Sequence, residues 1–290
     1  MSRAAALKQI RSALAPGSVL TDPKATKPYE TDGLTALREV PWLVALPETE
    51  AQVQQVLAIC AEHELPVVAR GAGTGLSGGA RPVADGVVLC LSRLDQILEV
   101  DVANCVARVQ PGVRNLAISE AVAAHGLYYA PNPSSQLACS IGGNVAENSG
   151  GVHCLKYGLT VHNVLGLRVL TVAGEVLELG GKGFDAPGFD LLALLSGSEG
   201  LLGVVTEVTV KLLPRPPETR VLLAAFDDVA AAAEVVGNII GQGLLPAGLE
   251  MMDRLAIQAA EDFVHAGYPR EAEAILLCEV DGGGPMARIQ

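Results

Sequence analysis

Arg70-Gly71-Ala72-Gly73-Thr74-Gly75-Leu76-Ser77-Gly78-Gly79-Ala80 is the stretch whose reading decides the fold. It follows Pro66 to Arg70, a short run rich in β-branched residues that reads as a strand. A segment so rich in glycine lets the backbone approach a ligand closely and turn its N–H groups toward phosphate oxygens. Four readings compete. A nucleotide-triphosphatase P-loop needs Gly-Lys-Ser/Thr at its end; none is present, and Lys182, which does follow a glycine, is itself followed by Gly183. A Rossmann site is matched in letters by Gly73-Thr74-Gly75-Leu76-Ser77-Gly78, but its physics requires a helix opening at the loop. Gly79, Pro82 and Gly86 follow instead, so no such helix is expected. The third reading is a loop that wraps a cofactor's pyrophosphate with backbone amides alone. The fourth is a glycine-rich turn with no ligand.

Outward from the loop, strands and helices alternate. N-terminal to it, the stretch to about Leu14 reads as a helix, followed by a connector with Pro16, Pro23 and Pro28. Trp42 to Leu46 is a short strand. Thr49 N-caps the next helix with Gln52 completing a capping box, and Val53, Val56, Leu57 and Cys60 share one face. C-terminal to the loop, strands are expected at 86–92, 97–101 and 105–109, a helix at 114–125 and a loop-rich stretch from Tyr128 to Gly158. Two strands flank Ala173-Gly174 as a hairpin. A helix near Phe189 to Leu195 leads into Ser196-Gly197-Ser198-Glu199-Gly200, and 204–212 is another strand. Pro214, Pro216 and Pro217 mark the best boundary. Beyond them a β-α-β-α-β pattern begins and runs to Asp281-Gly282-Gly283-Gly284, with too few strands to close a sheet.

Composition narrows the partners. The 290 residues are half hydrophobic but only 3% aromatic, and the net charge is -12. That balance argues against nonspecific nucleic-acid binding and against an anionic membrane surface, both of which call for Lys and Arg. None of the six cysteines forms a C-x-x-C pair, so buried, reduced thiols are expected. There is no signal-peptide core and no membrane-length apolar run. A soluble cytoplasmic protein is expected, with docking at the inner face of a membrane left open through partners.

Three stretches together resemble one family. VVARGAGTGLSGGA resembles the pyrophosphate loop of the vanillyl-alcohol-oxidase flavoproteins, also called the PCMH type; PNPSSQLACSIGGNVAENSGG is similar to their second flavin segment, and LLSGSEGLLGVVTEVTVKLLP to their third. The likeness covers 38–214 for the fold, and PAGLEMMDRLAIQAAEDFVHAGYPREAEAILLCEVDG extends it toward the D-subunit family of glycolate oxidases. The resemblance implies an α+β chain. Residues 1–37 are an N-terminal helix and connector, 38–215 a two-subdomain PCMH-type FAD-binding domain, and 216–290 the start of an incomplete α/β cap, or substrate, domain.

The resemblance also assigns residues. Arg70, Gly71, Ala72, Gly73, Thr74, Gly75, Leu76, Ser77, Gly78 and Gly79 hold the pyrophosphate and ribose, mostly by backbone N–H, with Thr74 and Ser77 as added hydroxyl donors. Pro131, Ser134 and Ser135 bracket the flavin. Cys139, Ser140, Gly142, Gly143 and Asn144 approach the ring or adenine side, and Asn148, Gly150 and Gly151 continue the segment. Glu199 and Gly200 open the third segment, where Glu199 either accepts a hydrogen bond from the cofactor or caps a turn. Val204 and Val205 lay backbone against the cofactor's edge. Thr74 occupies the position where covalent relatives carry a flavin-linked His, so noncovalent FAD is implied.

The implied reaction is oxidation of a small 2-hydroxy acid such as glycolate or D-lactate, which calls for a carboxylate-binding Arg and a His base. In relatives a His-x-Gly-Asp-Gly-Asn segment supplies such groups, often with a metal, and this sequence has none. Catalytic residues are therefore left unassigned and no metal site is expected. Of the histidines, His63 reads as solvated, His125 as a helix-end cation, His162 flanks the second flavin segment with His153, and His265 ends a helix in the second domain. His153 is the one that could touch substrate. The implied partners are other glycolate oxidase subunits, one with a second flavin domain and one with iron–sulfur centres. The competing reading is a noncatalytic flavin-binding or assembly protein.

Overall fold

The computed structural model describes residues 3–183 and 188–282. Met1 and Ser2 of the expected opening helix, and the Gly283-Gly284 tail, lie outside the described residues. The chain forms two compact units. The first comprises 1–149 and 159–213, and the second 150–158 and 214–290.

The first unit holds two sheets. One has four strands in the order Val19–Leu20, Leu43–Ala45, Val87–Cys90, Val67–Arg70, the last three mutually parallel. Val87–Cys90 is buried at every position, as expected for a parallel strand covered on both faces. Helices Arg3–Ala13 and Glu50–Glu62 cover one side, placing Ile10, Val53, Val56 and Leu57 against Leu43 and Leu89. Thr49 caps the second helix by accepting the Gln52 N–H, but the Gln52 side chain accepts from Glu48 rather than from Thr49, so the reciprocal box is displaced by one residue. His63 is not solvated as expected. It is half-buried, with Nε2 2.6 Å from Gln9 Oε1 on the first helix.

The other sheet is antiparallel, in the order Ile97–Asp101, Val106–Val109, Val204–Lys211, Val164–Leu170, Val176–Gly180. Val204–Lys211 alternates buried and half-buried residues, the period-two signature of a sheet with one face in the core. Helices Asn115–Val122 and Ile141–Glu147 bring Ile118, Val122, Ile141 and Val145 onto Val208, Val210 and Val169. A polar clamp ties the start of helix Glu50–Glu62 to this sheet. Arg168 donates to both oxygens of Glu50 (2.7 and 3.0 Å), and the Thr206 hydroxyl donates to the same carboxylate (2.6 Å). The Arg168 hydrogen bond, aided by Thr206, holds the Glu50 carboxyl below the usual range against the opposing pull of burial.

The stretch from Tyr128 to Gly158 is not all loop. It contains the helix Ile141–Glu147, capped by the Ser140 hydroxyl. All six cysteines are free thiols; Cys60, Cys90 and Cys139 are buried, and burial pushes the Cys60 thiol up to about 12.

The second unit is a three-stranded antiparallel sheet, Glu218–Phe226, Ala274–Gly282, Gly248–Asp253 in spatial order, with helices Val229–Gly241 and Arg254–Phe263. Ile257, Ala272 and Ile275 form its small core. The excursion 150–158 belongs here: Lys156 pairs with Asp281, whose second carboxylate oxygen accepts from the Tyr157 hydroxyl at 2.5 Å.

Candidate functional site

The strand Val67–Arg70 ends where the glycine loop begins, so the loop emerges at the C-terminal edge of a parallel strand with its backbone free of the sheet ladder. No helix follows it, which removes the Rossmann reading. The N–H groups of Ala72, Gly73, Thr74 and Gly75 donate to no acceptor among the described residues. Consecutive free donors of this kind, on a turn where Gly73 takes a φ of +72°, form a concave anion-binding surface.

The loop is held from beneath by Arg70. This side chain is buried and donates to Thr31 O (2.7 Å) and Ala80 O (3.3 Å), with its guanidinium over the Tyr29 ring at 5.5 Å. Burial draws the guanidinium below its usual range. A Cβ on Gly73 would collide with that guanidinium. Arg70 therefore shapes the loop through its side chain.

Two adjoining clefts open along this surface. They share Ala69, Gly71, Gly143, Ala146 and Glu199, which makes them one continuous cradle. Three chain segments meet there. From the loop come Gly71, Ala72, Gly73, Thr74, Gly75 and Gly79, with Arg70 at the base. From the second segment come Ser135, Cys139, Ser140, Gly142, Gly143 and Asn144, and from the third Glu199, Gly200, Val204 and Val205. The third segment hangs on the second: Gly197 N–H donates to Val145 O and Glu199 N–H to Ala146 O, both at 2.8 Å, at carbonyls in the last turn of helix Ile141–Glu147.

Other expected residues lie elsewhere. Leu76, Ser77 and Gly78 are on the loop but outside the cradle wall; Leu76 is exposed, and the Ser77 hydroxyl donates to Glu147 (3.3 Å). Pro131 is buried and Ser134 exposed, and neither lines the cradle. Asn148 ends the helix in a left-handed conformation and its side chain accepts the Val161 N–H (3.0 Å). Gly150 and Gly151 fall in the second unit. So does His153, whose Nε2 lies 3.2 Å from Glu279. Lys182 sits at the surface and pairs with Glu99 (2.5 Å) and Asp101 (2.8 Å).

Sequence reasoning missed Asp32, Pro111, Glu147, Ser149 and Ser198 on the walls. Glu147 and Ser149 stand within the NVAENSGG stretch and were recoverable from it; Asp32, far upstream, gave no local signal. The described walls carry no histidine or lysine. Three carboxylates, Asp32, Glu147 and Glu199, face one cleft. Burial first, then the charges of Glu147 and Asp32, raise the Glu199 carboxyl. No group of three or more His, Cys, Asp or Glu residues able to hold a metal occurs among the described residues.

Comparison with known proteins names the class. The FAD binding domain family matches 41–180, and the C-terminal domain of FAD linked oxidases matches 215–288. The chain belongs to the FAD-linked oxidases. It is 66% identical over 255 residues to the glycolate oxidase subunit GlcD of Escherichia coli K12, covering 88% of this chain and 51% of that one. It is 37% identical over 251 residues to a D-lactate dehydrogenase of Archaeoglobus fulgidus, covering 86% and 56%. The chain thus spans about half the length of the curated relatives it matches. Among solved structures, an alkyldihydroxyacetonephosphate synthase superposes with a TM-score of 0.86 at 19% identity, over 100% of this chain and 57% of that one. A p-cresol methylhydroxylase superposes with a TM-score of 0.80 at 20% identity, over 99% and 62%. These two establish the PCMH-type fold.

The cradle fits the family's FAD. Its free N–H row suits a diphosphate, and Val204, Val205 and Leu195 give an apolar wall for a ring.

Proposed function

We propose that this chain is the flavin-bearing part of an FAD-dependent oxidoreductase that converts a small 2-hydroxy acid, glycolate or D-lactate, to the 2-oxo acid. The observation that carries the proposal is the row of unbonded N–H groups from Ala72 to Gly75, facing the second and third segments across one cradle. Bound there, FAD supplies a two-electron acceptor that no side chain offers. The chain's own part is to bind and orient. Backbone amides of the loop take the diphosphate, and Val204 with Val205 excludes water from one edge. Thr74 lines the cradle at the loop position where, by resemblance, covalent relatives carry a flavin-linked His, and this supports noncovalent binding.

Residues 38–215 form the FAD-binding domain in this reading, and 216–290 begin the substrate domain. The clamp for the substrate carboxylate and the base for its hydroxyl lie outside the cradle walls, since Arg70 is committed to two carbonyls and no histidine is present there. That observation also favours a second reading, in which the chain binds flavin without turnover. The assembly proposed is with other subunits of a glycolate-oxidase-like complex, a second flavin-domain subunit and an iron–sulfur subunit, at the inner face of a membrane. No helix among the described residues is long and apolar enough to cross one. The test is anaerobic mixing of the FAD-loaded chain, alone and with such subunits, with glycolate and with D-lactate. Bleaching of the visible flavin band by either acid supports oxidation, and no bleaching in any combination leaves the second reading.

A further inference from the structure

The connector before the first domain builds a turn that no local signal places at the site. Thr31-Asp32-Gly33-Leu34 packs against the glycine loop. The Gly33 N–H donates to Gly75 O at 2.8 Å, and the Arg70 guanidinium donates to Thr31 O at 2.7 Å. A Cβ on Gly33 would stand 2.7 Å from Gly75 O and 2.8 Å from Thr74 O, both backbone atoms, so only glycine lets the turn lie this close. The turn is closed by Asp32 itself, whose Oδ1 accepts the Leu34 N–H at 2.8 Å.

Asp32 is 5% exposed and lines the loop-side cleft. Its Oδ2 is buried and has no hydrogen-bond partner among the described residues. Buried carboxylate oxygens without partners are rare because desolvation is not repaid. Asp32 lines the same cleft as the free loop amides, together with Glu147 and Glu199, and its charge reaches Glu199. A metal does not answer the need, since no metal-holding group is found among the described residues. A phosphate does not either, because its charge has the wrong sign. A neutral hydroxyl donor does.

We propose that Asp32 is a further cofactor-binding residue, whose Oδ2 accepts a hydrogen bond from a sugar-alcohol or ribose hydroxyl of the flavin nucleotide held by the loop, while the Thr31–Leu34 turn clasps the loop in its binding shape. The inference rests on the FAD reading above. It divides the labour at an acidic cleft: backbone amides take the phosphates, and carboxylates take the hydroxyls.

The experiment is titration of the full apo-chain with FAD and with FMN by flavin fluorescence quenching, for wild type and Asp32→Asn, beside the thermal midpoint of each apo-protein. Asn keeps the oxygen that accepts from Leu34 and replaces Oδ2 with a donor. FAD binding is expected to weaken roughly tenfold to a hundredfold, the loss associated with a charge-assisted bond, with the apo midpoint within about 2 °C of wild type. Weakening of both ligands assigns the hydroxyl to the sugar-alcohol chain, and weakening of FAD alone assigns it to the ribose; both support the proposal. Unchanged affinity for both ligands overturns it, and so does weakened binding accompanied by a large drop in the apo midpoint, which would mark Asp32 as a purely structural residue. Wild type that binds no FAD would instead sink the reading on which the inference rests.

Discussion

Replacing Gly75 by Asp is the sharpest perturbation of the loop. An ideal Cβ at this position lies 2.5 Å from Glu147 Oε1, the far end of a flexible side chain, so a methyl group can be accommodated if the carboxylate turns away. Gly75→Ala is therefore expected to cost FAD affinity no more than about tenfold, near 1.4 kcal/mol. Asp adds a charge. A carboxylate held about 4–5 Å from a diphosphate meets a repulsion on the order of 3–4 kcal/mol per phosphate charge at an effective dielectric of 20. Halving this for a half-exposed rim leaves about 3–4 kcal/mol in total for two charges, or two to three orders of magnitude in affinity. The assay is FAD titration at low and at moderate salt, where the Asp penalty should shrink as salt rises and the Ala penalty should not. Lys182→Ala is the control. Its ion pairs lie on the strand Ile97–Asp101, and its FAD affinity should match wild type. Gly75→Asp binding FAD within threefold of wild type, or Lys182→Ala losing it, would refute the placement of the site.

Two other perturbations follow from the charges. Glu50→Gln removes the charge from the clamp that joins helix Glu50–Glu62 to the antiparallel sheet, and should cost about 1–2 kcal/mol at neutral pH, or about 2–6 °C in Tm. Because the wild-type carboxyl is held below its ordinary value, this stability is present above about pH 4.5 and is lost as pH falls through the lowered folded-state pKa, so melting curves of the two proteins should converge in acid. Glu199→Gln works in the opposite sense. The wild-type carboxyl is raised by burial and by Glu147 and Asp32, so its ionised form opposes folding at neutral pH. The apo variant should melt above wild type at pH 7, and the gap should close as pH falls below the carboxyl's ordinary value; a variant that melts lower at pH 7 would contradict the electrostatic reading of the cleft.

The glycine loop was legible because its signal is local: a β-branched run, then glycines, then residues that forbid a helix. The strand Val204–Lys211 was legible as well, to within a residue of its expected end. The helix Ile141–Glu147 was not, because Gly142, Gly143 and Asn144 are poor helix formers. Packing overrides that propensity. Gly142 lies where a Cβ would come 2.6 Å from the Pro111 side chain, so glycine is required for the helix to seat against the strand end. Asp32 was invisible for another reason. Thr-Asp-Gly reads as ordinary turn punctuation, and only the folded chain brings it against a loop some forty residues on. His153 stands beside the second flavin segment in sequence, and the fold places it with the second unit, where its ring pairs with Glu279.

The central claim is that the cradle in the first unit holds FAD without a covalent bond, and the most direct measurement is acid precipitation of the purified, FAD-saturated chain followed by analysis of both fractions. The account predicts that the yellow colour leaves the pellet completely and that the released compound is intact FAD, in stoichiometric amount with the protein. Colour retained in the pellet would contradict the noncovalent assignment that rests on Thr74, and a folded chain that takes up no flavin would contradict the cradle itself.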